Sequence, residues 1–306
     1  MARVDYWFKN VFVIPGIVVA LGTIPVVDWR TIAVNSVLGM MSICVVASSN
    51  YTLNEVLDAA TDRFHAEKRD RPVAAGRVRP AAGYVQWLIL GAVGFALASL
   101  ISPQFTAAVV CLWVMACAYN VPPVRTKDLP YLDVLSEAIN NPLRMLAGWF
   151  IVTTATSAPA SLLLSYWMIG CYFMALKRFA ELQGIGNQAR AAVYRRSFAY
   201  YTPERLLVAV MFFATASMLF FGAFCMRYRM ELILAFPFVA LVMAQYLQVA
   251  MKPDSAAQQP EHLYRERGLM VAVVTAAVVM LVLLRVDLPV MYRVFAPTAP
   301  VQEQGL

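Results

Sequence analysis

Between Asn50 and Arg79 the chain reads NYTLNEVLDAATDRFHAEKRDRPVAAGRVR, and three oxygen-bearing side chains recur there at a fixed interval. Asn54, Asp58 and Asp62 fall at i, i+4 and i+8. At roughly 100° per residue they drift only about 80° around a helix, so all three leave one face. Acids at a helix C-terminus oppose its dipole and are a poor choice for plain capping. A basic run with Lys68, Arg69 and Arg71 follows at once. Hard oxygen donors beside such a run suit magnesium, which is usually held by one or two carboxylates plus substrate phosphates. Lys68 and Arg71 would then meet phosphate oxygens, the lysine as a point charge and the arginine as a fork. His65 and His262 read as solvated loop histidines.

A second stretch, YNVPPVRTKDLPYLDVLSEAINNPLR, repeats the theme. Pro122 and Pro123 end one helix, and Arg125, Lys127 and Asp128 occupy the turn. Asp133 and Glu137, at i and i+4, open the next helix. With Asp128 nearby they could hold a second ion. Two ions across a diphosphate would neutralise a leaving pyrophosphate. Neither a Ser/His/Asp arrangement, a Gly-rich phosphate loop nor a cysteine nucleophile is visible, so covalent catalysis is disfavoured.

The elements that must position these groups are membrane helices. The chain has 306 residues, of which 61% are hydrophobic and only 14% charged, with a mean hydropathy of +0.64. Soluble domains average about 25% charged residues. The composition therefore predicts an all-α, polytopic integral membrane protein. About nine apolar segments near the ~20 residues a span needs run over 10–28, 32–57, 81–101, 104–120, 133–156, 160–182, 205–226, 230–251 and 268–287. An irregular tail covers 289–306, and residues 1–306 read as one transmembrane domain. The five cysteines all lie in apolar stretches, without metal-ligand spacing.

The net charge of +7 comes from basic residues in short loops between apolar segments. That is a positive-inside pattern and not a nucleic-acid footprint. It places the N-terminus and both acidic helix ends on the cytoplasmic side, which in a bacterium is the inner membrane face. Arg144 lies inside a span, where a charge is costly and usually faces a polar cavity or partner.

NEVLDAATD followed by HAEKRDRPVAAG resembles the first aspartate motif, Asn-x-x-x-Asp-x-x-x-Asp, of the UbiA superfamily of intramembrane prenyltransferases. YNVPPVRTKDLPYLDVLSE resembles that family's second motif, a Tyr, then a basic residue, then acids. It departs from a plain Asp-x-x-x-Asp: the acids are Asp133 and Glu137, or Asp128 and Asp133 at spacing five. The resemblance implies a helical bundle and magnesium-assisted loss of pyrophosphate. Asn54, Asp58, Asp62, Asp128, Asp133 and Glu137 are then the expected metal ligands, and Asp58, Asp62 and Asp133 the expected catalytic carboxylates. Lys68, Arg71, Tyr119, Arg125, Lys127 and Arg144 are expected to bind substrate. WFKNVFV, KRFAEL and RRSFAYYTPERLL resemble the branch that includes decaprenyl-phosphate phosphoribosyltransferase, which adds Lys177 and Arg178 to the donor site. PPVRTKDLPYLDVLS looks more like members that prenylate pigments or other lipids, and the leading expectation is prenyl transfer from a polyprenyl diphosphate to a lipid-soluble acceptor. The alternative is phosphoribosyl transfer from phosphoribosyl pyrophosphate to a polyprenyl phosphate. A transporter ranks below both, because its polar residues would cluster near the midplane instead of at helix ends.

Overall fold

The computed structural model describes residues 1–24, 28–63, 68–258 and 260–295; His65 lies outside the described residues. Those residues form helices and loops, with no strand among them. Helix α1 (Val4–Thr23) begins as a 3-10 turn and becomes α-helical at Ile14. It is followed by α2 (Trp29–Asp62), α3 (Pro80–Ser99), α4 (Pro103–Asn120), α5 (Leu132–Ala138) and α6 (Asn140–Val152). The second half holds α7 (Ala160–Ile185), α8 (Gln188–Tyr194), α9 (Pro203–Tyr228), α10 (Phe236–Ala250), α11 (Arg267–Leu283) and the short α12 (Pro289–Val294).

Among the described residues seven helical stretches are long and apolar enough to cross a membrane: α1 to α4, α7, α9, and α10 with its preceding turn. The other two predicted spans take a different form. The segment at 133–156 is broken between Ala138 and Asn140. Pro142 explains the break, since it has no N–H to donate back to the turn containing Ala138. The segment at 268–287 contributes only the 17-residue α11.

Local chemistry sets the helix ends. Asp28 caps α2 by accepting from the backbone N–H of Arg30 (3.1 Å) and Thr31 (3.3 Å). Ser102 and Thr202 do the same for α4 and α9, each followed by proline at the first helical position. Gly186, at φ 64°, closes α7 in the left-handed conformation that glycine adopts without penalty.

Helix packing relies on small residues, as is common where lipid removes the hydrophobic drive between helices. Helix α2 lies along α3, and Ser42 donates to the Gly94 carbonyl at 2.8 Å. Ser49 donates to the Trp87 carbonyl at 2.7 Å, beneath the stacked rings of Trp87 and Trp113. Helices α1 and α6 approach so closely that a Cβ on Gly148 would overlap the Val13 carbonyl, and one on Gly16 the Met145 carbonyl. Gly148→Ala is therefore expected to push α1 from α6 and lower stability by about 1–3 kcal/mol. A melting temperature in detergent equal to that of the unsubstituted protein would contradict this packing.

Candidate active site

Helix α2 carries its three polar side chains to the end of the bundle where the loops 68–79 and 121–131 and the segment 187–202 meet. Asp62 is its last residue. The loop after α2 folds back on the helix: Val73 is buried, and its N–H donates to Glu55 at 3.2 Å. The Pro72 carbonyl accepts from Arg77 and Val78, and Gly76 supplies the left-handed turn at φ 72°. This fold-back holds Arg71 against Asp62, with Nη1 2.7 Å from Oδ2.

Asn54 and Asp58 meet a different cation. The Lys127 ammonium lies 2.6 and 2.8 Å from the two Asp58 oxygens, 3.2 Å from Asn54 Oδ1 and 2.9 Å from Asn120 Oδ1. Arg125 bridges Asp58 (3.0 Å) and Asp128 (3.1 Å). Its backbone has φ 25°, an unusual conformation for a side-chain-bearing residue. Burial pulls the Lys127 ammonium below the usual lysine range, while the adjacent Asp58 charge holds it up.

Asn54, Asp58 and Asp62 share one helix face but not one cation. Eight residues of helix rise by about 12 Å, whereas magnesium–oxygen bonds are about 2.0–2.1 Å. Asn54 and Asp58 converge on one cation, and Asp62 holds Arg71.

The second acidic set also departs from expectation. Asp128 pairs with Arg125, and at 3.8 Å with Arg196. Asp133 and Glu137 are joined by Arg178 of α7, which is 2% exposed: Nε lies 3.1 Å from Asp133 and Nη2 2.7 Å from Glu137. Its third edge reaches Glu181 at 2.9 Å, and Lys177 lies 3.9 Å from Glu181. Asp133 is fully buried, and both its oxygens are occupied. Oδ2 accepts from Ser197 at 3.2 Å and lies 3.3 Å from Arg195; Oδ1 accepts from Tyr201 at 2.5 Å. The Tyr201 hydroxyl in turn accepts from the Tyr131 backbone N–H at 2.6 Å. Burial, then the Asp133 carboxylate, push the Tyr201 phenol upward. The Tyr119 hydroxyl donates to Glu137 at 2.8 Å and accepts from Arg195 at 2.7 Å. A guanidinium therefore occupies the centre where a second ion was expected.

These contacts decide where a divalent ion fits. Asn54 and Asp58 present hard oxygens that already converge on a cation. They are too few to encage an ion alone, and no group of three or more His, Cys, Asp or Glu side chains suited to a metal occurs among the described residues. Magnesium needs no such cage when phosphates and waters complete its shell. The α2 pair fits an ion arriving with a diphosphate; the set around Arg178 does not.

Lys68 stacks its ammonium over Tyr194, 5.4 Å from the ring centroid, and interacts electrostatically with Arg71, Asp62, Glu181 and Asp58. That places it between the two clusters. Arg144 is apart from both, deeper on α6, where Nε donates to Asn10 at 3.1 Å. Ser197, Tyr201, Asn120 and Asn10 escaped the sequence reading. The signal for the first two was their place in RRSFAYYTPERLL, just ahead of the Thr202 cap.

The bundle of membrane-length helices gathers acids and bases at one end. The UbiA prenyltransferase family matches residues 10–265, and the chain belongs to that family. It is 30% identical over 227 residues to the decaprenyl-phosphate phosphoribosyltransferase of Mycolicibacterium smegmatis, covering 72% of this chain and 67% of that one. The Mycobacterium tuberculosis protein of the same name is 31% identical over 226 residues, 72% of this chain and 70% of that one. A UbiA homolog from Archaeoglobus fulgidus, solved bound to DMAPP and Mg2+, superposes with a TM-score of 0.69 at 16% identity, covering 93% of this chain and 99% of that one. At that identity the likeness is one of fold. The chain is an integral membrane transferase.

Proposed function

We propose that the chain transfers a phosphoribosyl group from phosphoribosyl pyrophosphate to a polyprenyl phosphate, with release of pyrophosphate. The observation that carries this reading is the role of KRFAEL, the phrase that resembles the phosphoribosyltransferase branch. It supplies the buried Arg178 that joins Asp133, Glu137 and Glu181. The curated relatives at 30% and 31% identity, named for that activity, favour the same choice. Prenyl transfer, ranked first on the motifs alone, becomes the second reading.

An oxygen of the acceptor phosphate attacks the anomeric carbon of the donor. The bond from that carbon to the pyrophosphate oxygen breaks, and the electron pair leaves with pyrophosphate. A phosphate dianion is already a nucleophile, so no general base is required. Lys127, Arg125, Lys68 and Arg71 stand where they can neutralise the donor diphosphate. Carboxylates such as Glu137 and Glu181, held in place by Arg178, can accept hydrogen bonds from ribose hydroxyls and orient the sugar. A divalent ion held by Asn54 and Asp58 would supply further charge neutralisation to the leaving group. The reaction is assigned to the cytoplasmic membrane face, following the basic loops.

Incubating the purified protein with magnesium, labelled phosphoribosyl pyrophosphate and decaprenyl phosphate should give a phosphoribosylated lipid identifiable by mass. Prenyl transfer from a polyprenyl diphosphate, with no phosphoribosyl product, would refute the assignment.

A further inference from the structure

Arg144 is an ionic group within the bundle that the clusters above leave unused. It lies on α6 inside the membrane-spanning bundle, deep among other helices, with Tyr51, Tyr166 and Cys44 as its electrostatic neighbours. Among the described residues its guanidinium makes one hydrogen bond, from Nε to Asn10 Oδ1. Asn10 is itself 1% exposed and fixed by donating to Cys44 Sγ at 3.1 Å. The Arg144 η nitrogens therefore have no hydrogen-bond partner, yet they are not among the sealed orphan atoms. Two free donor edges thus keep accessible surface on a helix of the bundle. Arginine does not shed its proton, so a charge held there awaits an anion.

The position of that charge specifies which anion. Tyr51 interacts electrostatically with both Arg144 and Glu137, linking the deep cation to the polar cluster. It stands three residues before Asn54 on α2, about 4.5 Å further into the membrane. A donor whose diphosphate meets Asn54, Asp58 and Lys127 points its reacting carbon away from the polar end. Displacement requires the attacking oxygen on the carbon face opposite the leaving group. That face is the one toward Arg144. We infer that Arg144, positioned by Asn10, forms a second anion subsite beneath the donor and takes the phosphate monoester of the lipid acceptor. The assignment rests on the proposed reaction for its acceptor, while the fork of η nitrogens matches phosphate oxygens in any case.

Equilibrium binding of radiolabelled farnesyl phosphate and farnesol to the purified full chain tests this without any donor. The unsubstituted protein should bind the phosphate at least about tenfold tighter than the alcohol, and Arg144→Gln should bring the two within about twofold. Arg144→Lys keeps the charge but loses the fork, and should reduce the preference by about threefold; it carries the test if the glutamine variant does not fold. A preference unchanged in either folded variant, or absent from the unsubstituted protein, overturns the subsite. So does displacement of farnesyl phosphate by phosphatidylglycerol, which would assign the site to bulk lipid. In turnover, Arg144→Gln should raise KM for polyprenyl phosphate and leave KM for phosphoribosyl pyrophosphate unchanged. A rise confined to the donor KM overturns the assignment. Arg144-dependent binding of farnesyl phosphate without phosphoribosyl product would uphold the subsite and reject only the reaction.

Discussion

Asp58→Asn is expected to lower the transfer rate by about 10²–10³-fold while leaving the fold intact. The substitution keeps the shape of the side chain and one oxygen, and removes the charge. That charge holds both Lys127 and Arg125. It is also the carboxylate best placed to share a divalent ion with Asn54. Without it the Lys127 ammonium, 8% exposed, keeps only the neutral oxygens of Asn54 and Asn120. Stability should fall by about 1–3 kcal/mol, as for a buried group that loses its partner. Initial rates at saturating donor, beside a thermal melt, separate the two effects. A rate within threefold of the unsubstituted enzyme would remove Asp58 from the machinery.

The reverse pattern is expected at Arg178. Arg178→Met fills much of the same volume but removes the cation shared by three carboxylates. Asp133, fully buried, would retain only Arg195, Ser197 and Tyr201. Breaking one partner of a buried ion pair typically costs about 3–5 kcal/mol, and unfolding in detergent should show a loss of that size. Adding Asp133→Asn should recover part of it, because the residual charge disappears with it. An Arg178→Met protein as stable as the unsubstituted one would show that the cluster contributes little to the fold.

How far the chain could be read in advance differs from element to element. The period of Asn54, Asp58 and Asp62 identified one helix face correctly, because rotation per residue is a local property. The rise along that face was equally local, yet only the contacts with Lys127 and Arg71 made plain that it separates the three groups. The family could be recognised from NEVLDAATD and the HAEKRDRPVAAG that follows it. Arg178 was visible as a basic residue at a helix end. Two of its three acids were not, since they come from α5, 41 and 45 residues away. Tyr201 and Ser197 reach Asp133 only because the chain after α8 folds back over the site, and spacing carries no trace of that. The break before α6 had a local signal in Pro142, which a count of apolar residues passes over.

Helix α2 has 34 residues, about 51 Å of helix, against about 30 Å of bilayer hydrocarbon and 40–45 Å with its headgroups. Its polar end therefore acts as a depth gauge. Moving along it from Tyr51 through Asn54 and Asp58 to Asp62 passes from a low-dielectric interior toward water. The two halves of the proposed chemistry accordingly occupy different solvents. In the proposed reaction bond exchange takes place at the hydrocarbon boundary, where a lipid phosphate would reach the sugar and water is scarce. The pyrophosphate stays on the aqueous side throughout, so its departure requires no crossing of an apolar barrier.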